Sequence, residues 1–190
     1  MVSELIKANR SYRRFDASKG ISDESLISFI ESARFVASGA NLQRLRFTFV
    51  NEKGDCDGIF LSLKFAGYLK EWSGPKENER PSAYIIISSS AELDTLLAID
   101  LGIAAEAITL TAAEQGIFGC MFRSYDKEVI KRYIPADNQE PCLVIALGYP
   151  TEKVILCDSN DGDIKYYRDS EDNHIVPKLP LSELVLNLKG

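Results

Sequence analysis

Arg10, Arg13 and Arg14, with Ser11 among them, set three guanidiniums within five residues. Arginine presents paired donors to oxygen clusters and a serine hydroxyl adds a short one, so the segment suits phosphate or another anion. A solvated basic turn pairing with surplus acids has the same residues, as does an arm against RNA, a reading weakened by the net charge and the lack of interleaved exposed aromatics. Ser38-Gly39-Ala40-Asn41-Leu42-Gln43 starts on small residues that let backbone approach a flat ligand, and its amides can read ring carbonyls and nitrogens. An ordinary helix-to-strand turn shares that composition. Gly116 to Phe122 offers backbone amides to an electron-rich edge, and its Cys120, among apolar neighbours with no histidine close by, reads as a structural thiol. Lys178 stands between Pro177 and Leu179-Pro180, where a stiff extended segment can deliver a point charge. His174, the single histidine, falls in a polar turn. No Ser/His/Asp set, catalytic carboxylate pair or metal cluster assembles, which disfavours a hydrolase.

The elements that must carry these residues are legible from capping and periodicity. Ser3 is placed to cap a short first helix with Leu5 and Ile6 as its buried contacts. Ser22 followed by Asp23 and Glu24 starts a second, in which Leu26, Ile30, Ala33 and Ala37 should face a core. Leu45 to Val50 alternates as a strand, Asp55 to Ala66 reads as a helix, and Trp72 to Pro81 as a loop. Ala83 to Ser88 is apolar on both faces, the mark of a central, covered strand. The longest helix spans about Asp94 to Gln115, closes at Gly116, and has almost no wet stripe. It is either a core helix or a subunit-interface helix. Further strands follow at Ile117 to Phe122 and Cys142 to Leu147, with a short helix capped by Asp126 between them. After Pro150 the character changes to turns, a brief strand near Ile164 to Arg168 and a proline-punctuated tail. Residues 151–190 therefore read as a C-terminal arm on a single domain of 1–190, packing on its own body or on a partner.

The bulk properties set limits. A chain of 190 residues, 45% hydrophobic and 26% charged, builds an ordinary core without disulfides. Its net charge of −6 argues against a general nucleic-acid or anionic-membrane surface. The four cysteines form no C-x-x-C pair, no signal-like segment opens the chain, and no uncharged run reaches the ~18 residues of a membrane span. A cytoplasmic protein binding neither nucleic acid nor membrane is expected. Helices and strands mix without βαβ alternation, and no G-x-G-x-x-G or P-loop is present, so the class is α+β rather than Rossmann.

Taken in order, these segments resemble the nitroreductase family over essentially the whole chain. The resemblance is carried by Asn9-Arg10-Ser11-Tyr12-Arg13-Arg14-Phe15, by Ser38-x-x-Asn41-x-Gln43, and by the Pro-led strand after Pro81. Asp100-Leu101-Gly102 with the alanine-rich run to Gly116, Ala146-Leu147-Gly148-Tyr149-Pro150, and Lys178-Leu179-Pro180-Leu181 complete it. It implies an α+β sandwich, a mixed, mainly antiparallel sheet flanked by helices. It also implies a homodimer with an extended C-terminal arm and two FMN molecules at the subunit interface. Arg10, Ser11 and Lys178 would hold the cofactor, principally its phosphate, and Arg13 would lie near the pyrimidine edge, favouring the anionic reduced flavin. Ser38, Gly39, Ala40, Asn41 and Gln43 would come from the partner, and backbone near Phe122, Arg123 and Ser124 would approach N5. The implied chemistry is ping-pong: NADH or NADPH delivers hydride, and a nitroaromatic, quinone or similar small-molecule electron acceptor takes it. A reductive dehalogenase, an oxidase or a flavin-storing protein would share the fold. Asn9 stands where many relatives carry another arginine, and Gln43-Arg44-Leu45 replaces a usual Gln-Pro-Trp.

Overall fold

The computed structural model describes residues 1–65, 67–69 and 71–187. Its centre is a four-stranded antiparallel sheet of β1 (Leu45–Val50), β2 (Ala83–Ser89), β3 (Phe118–Phe122) and β4 (Glu140–Gly148), in the order β1-β2-β4-β3. The two middle strands are buried on both faces, as the apolar run predicts. Ile85, Ile87, Ile145 and Leu147 point to one layer, while Tyr84, Ile86, Val144 and Ala146 point to the other. The first layer is closed by α2 (Asp23–Phe35) and α4 (Thr95–Glu114), the second by α3 (Lys53–Ser62) and α5 (Lys127–Lys131). Each fully buried Ile or Leu here contributes about 1.5–3 kcal/mol of transfer free energy.

Local chemistry fixes the ends. Ser22 Oγ accepts the Ser25 N–H at 3.3 Å, and Leu26, Phe29 and Ala33 form the buried face of α2. The helix stops at Phe35, so Ala37 is exposed rather than core-facing. Asp94 caps α4 by accepting from Leu97 N–H at 2.7 Å. Gly116, at φ 71°, turns the chain out of that helix in the left-handed conformation that glycine adopts without penalty. Helix α1 (Val2–Ala8) begins at Met1 with no side-chain cap and buries nothing; Ser3 lies inside it, and Ile6 is exposed. Helix α3 ends at Ser62, because Leu63 pairs with Tyr125 and Lys64 N–H goes to the Ser124 carbonyl. Ala66, the expected end of that helix, lies outside the described residues. The loop before β2 contains one 3-10 turn, Glu77–Glu79.

Helix α4 is long and apolar enough to cross a membrane by composition. Its environment is nevertheless that of a core helix on one side. Leu97, Leu101, Ala104, Ala105, Ile108 and Ala112 are buried against α2 and the sheet, whereas Leu96, Ile99 and Ile103 are 38%, 54% and 39% exposed. Beyond Pro150 the chain forms a second, small sheet of β5 (Val154–Asp158), β7 (His174–Lys178) and β6 (Tyr167–Arg168), with β5 parallel and β6 antiparallel to β7. The short helix α6 (Leu181–Leu184) follows, with Leu181 and Leu184 exposed. Residues 188–190 of the tail lie outside the described residues.

Candidate functional site

The basic segment crosses the open edge of β3. Ser11 bridges Gly119 and Tyr12 N–H donates to the Gly119 carbonyl at 3.0 Å. A Cβ on Gly119 would come 2.4 Å from the Ala146 carbonyl oxygen, so glycine allows the tight β3–β4 approach there. Phe15 anchors the segment's far end, fully buried, bridged to Pro150, and lying where a side chain on Gly148 would collide at 2.7–2.8 Å. Asn9 anchors the near end by donating to Thr109 Oγ1 at 2.9 Å and Glu106 at 3.2 Å on α4. Two stretches distant in sequence, Arg10 to Phe15 and Gly148 to Pro150, are thus one structural unit.

Within that unit the arginines divide. Arg10 donates to the Ile6 carbonyl at 2.7 Å, its Nε lacks a partner, and the neighbouring Ser11 is exposed. Arg13 is 8% exposed. Its Nη1 lies 3.3 Å from the Ser11 carbonyl, and 3.3 and 3.4 Å from the two ring nitrogens of His174. The Tyr166 ring lies 4.8 Å from its guanidinium carbon. No carboxylate forms an ion pair with Arg13 among the described residues. Arg14 instead pairs with Asp172 and Glu79 and lies 5.7 Å from the Trp72 ring centroid, a surface-anchoring role. Glu152 accepts the backbone N–H groups of Arg13 and Arg14 and pairs with Arg168 at 2.5 Å.

Titration follows these surroundings. Burial first, then the Arg13 charge, pushes the His174 imidazole down to about 4, leaving it neutral at pH 7. Burial raises the Cys120 thiol, as a structural thiol requires. Tyr12, half-buried against Phe118 at 4.7 Å between ring centroids, is raised by desolvation and then by Glu152. His174 opens β7, paired with Val154 and Arg168, and is fully buried there, rather than lying in a polar turn; the apolar Ile175-Val176 that follow it were the available signal. Glu152, in a plain Thr-Glu-Lys turn, gave none.

The Ser38 to Gln43 loop is held by Asp100 of α4. That buried carboxylate accepts the Ser38 hydroxyl and the Gly39 N–H, both at 2.8 Å, while Ser38 Oγ accepts Gln43 N–H at 3.1 Å. Ala40, Asn41 and Gln43 have φ of 49°, 55° and 48°. Three non-glycine residues in the left-handed region within four positions store roughly 1 kcal/mol or more each, and such strain gathers at ligand-contacting loops. Gly39 packs where a Cβ would meet the Leu96 side chain at 2.2–2.8 Å. Beside the loop opens a cleft of about 230 Å³ lined by Ile30, Phe47, Arg44 and Asp100 among others. This role of Asp100 was missed in the sequence; the available signal was an acid inside an otherwise apolar helix, a group that needs partners.

Phe122 is buried at the end of β3, edge-on to Phe65 at 4.8 Å, and Arg123 and Ser124 are exposed just beyond. Just beyond the strand, Lys64 N–H donates to the Ser124 carbonyl at 2.9 Å and Leu63 bridges Tyr125, which fixes the chain's exit from β3. Within one chain Arg10, Ser11, Arg13 and Phe122 to Ser124 lie along β3. The Ser38 to Gln43 loop lies elsewhere: Asp100 and Thr109, which hold the two regions, are about 14 Å apart along α4. Lys178 is exposed at the end of β7 in the second sheet. No group of three or more His, Cys, Asp or Glu suited to a metal occurs among the described residues.

Residues 6–77 match the model of the nitroreductase family. No curated protein matches the chain by sequence. Among solved structures, the fold is similar to that of a nitroreductase family protein from Streptococcus pneumoniae TIGR4. That pair has a TM-score of 0.68 and 18% identity, covering 97% of this chain and 98% of that one. It is also similar to a nitroreductase family protein from Clostridium difficile 630, at 0.65 and 20%, covering 100% and 99%. An FMN-dependent nitroreductase from Clostridium difficile R20291 gives 0.63 and 21%, covering 87% and 97%.

Proposed function

From the match of residues 6–77 to the nitroreductase family model and the likeness of its fold to nitroreductase family proteins, we propose that this protein belongs to that family and is an FMN-dependent NAD(P)H oxidoreductase acting as a cytoplasmic homodimer. The observation that carries the reading is the basic segment on the open β3 edge. There Arg10 keeps an unpartnered Nε, Ser11 an exposed hydroxyl, and Arg13 a buried charge without an acid partner. Such a set calls for an anion, in a protein that is acidic overall. FMN, when bound, supplies the two-electron chemistry that these side chains lack. Arg10 and Ser11 hold its phosphate, and Lys178 adds a point charge. Arg13, being buried, acts as fixed charge beneath the site rather than as an open contact. Backbone near Phe122, Arg123 and Ser124 would orient the ring edge. Ser38, Gly39, Ala40, Asn41 and Gln43 close the site from the second copy, since one chain holds the two regions well apart. The exposed Leu96, Ile99 and Ile103 stripe gives that copy a surface to cover. The four cysteines are free, in keeping with a reducing compartment.

The experiment is direct. Purified protein should be yellow or take up FMN, and should bleach anaerobically with NADH or NADPH and recover with a nitroaromatic or quinone. Arg10→Ala should weaken FMN retention about 10- to 100-fold, the loss of a charge-assisted contact. Protein that takes up no FMN sinks the proposal; protein that binds FMN yet is bleached by neither nucleotide points to flavin storage.

A further inference from the structure

Arg13 is the one strongly buried arginine of the basic segment, and its environment is unusual for a cation. Ser11 offers a carbonyl and Tyr166 a ring face. Glu152 is the nearby acid, its side chain 2% exposed, yet it spends its oxygens on the backbone of Arg13 and Arg14 and on Arg168. Arg14 and Arg168 are both satisfied by Asp172, with Glu79 at the other side of Arg14. The remaining neighbours are the buried Cys120 thiol and His174, whose two nitrogens are nearly equidistant from Arg13 Nη1, so the guanidinium lies over the ring rather than along either nitrogen's lone pair. Its ring in turn stands edge-on to Tyr166 at 5.3 Å.

We propose that His174 is a positioning residue whose neutral ring, lying against the guanidinium, holds Arg13 against Tyr166 without cancelling its charge. The second sheet thereby sets the field at the β3 edge. This rests on the proposed flavin reading. A flat neutral ring suits the place because a carboxylate would neutralise the cation and a small side chain would release it. Its depressed basicity keeps the imidazole from repelling the guanidinium at neutral pH.

Three substitutions separate positioning from bulk stability, read out as the midpoint potential of bound FMN against a reference dye. His174→Phe, a neutral flat ring, should leave the potential near the unsubstituted value. His174→Ala and His174→Asp should weaken binding of reduced relative to oxidised FMN about tenfold, which for two electrons is about 30 mV downward. Arg13→Ala should do the same, and His174→Asp added to it should give no further shift. Should His174→Asp fail to fold, the Phe and Ala pair decides. Equal potentials in Phe and Ala, or a full Asp shift without Arg13, would overturn the proposal while leaving the cofactor reading intact. Unsubstituted protein that takes up no FMN would overturn both.

Discussion

His174 and Asp100 are buried side chains that connect remote segments, and each makes the fold sensitive at a different place. The imidazole is depressed from 6.5 to about 4 in the folded chain, so between those values the unfolded chain binds a proton that the folded one does not. Stability contributed by the neutral ring is therefore complete above about pH 6.5 and falls as pH drops toward 4, by roughly 3 kcal/mol over the full interval. Urea unfolding at pH 7 and pH 4.5 should show that loss in the native protein and a clearly smaller one in His174→Gln. An identical pH slope in the two would contradict the burial of a neutral ring. At this scale the sequence was read unevenly. Arg10, Ser11 and the small residues of the 38–43 loop stood out by type, whereas Asp100 entered only as part of the family resemblance and its hold on that loop went unread. Glu152 did not, because its importance comes from two backbone N–H groups and an arginine sixteen residues away.

Among the elements, periodic ones were legible to within a residue or so. β1, α4 and α2's start are set by local alternation and by the capping oxygens of Ser22 and Asp94. Where tertiary pairing decides, local pattern failed. Helix α3 ends early because the chain is drawn into bonding with Ser124 and Tyr125, and the pairing of β5 with β7 across an intervening strand has no local signature. The strained 38–43 loop is the most consequential case, since nothing in its residue types announces three left-handed non-glycine positions. Asp100 holds the start of that strained loop onto α4. Asp100→Ala should strip acceptors from the Ser38 hydroxyl and the Gly39 N–H, costing about 1–3 kcal/mol in denaturant unfolding. With the loop free to relax, FMN retention should fall more than in a surface variant of equal stability loss. Retention that merely tracks stability would detach the loop from the site.

At the scale of the molecule, surface area and patterning leave room for the second copy that the proposed function calls for. A compact monomer of 21.1 kDa exposes roughly 9,000 Å² by the usual mass scaling, and this chain exposes 11039 Å². The surplus is of the order that an obligate interface buries. Part of it is apolar and linear: Leu96, Ile99 and Ile103 recur along the outward side of α4, next to Gly39 packed on Leu96. Asp100, which fastens the loop, lies within the span of that stripe along α4, and Glu106 and Thr109, which fasten the basic segment, follow it toward the helix C-terminus. Covering it with another chain would bring one copy's loop toward the other's arginines, so association and flavin retention should fail together. Ile99→Glu tests this, because the residue is half-exposed and contributes nothing to the buried core, whereas a charge there opposes apolar contact. Sedimentation should show the substituted chain as a folded monomer with unaltered circular dichroism and at least tenfold weaker FMN retention. A monomer that keeps its flavin would mean that one chain builds the whole site, and a dimer untouched by the charge would move the interface off α4.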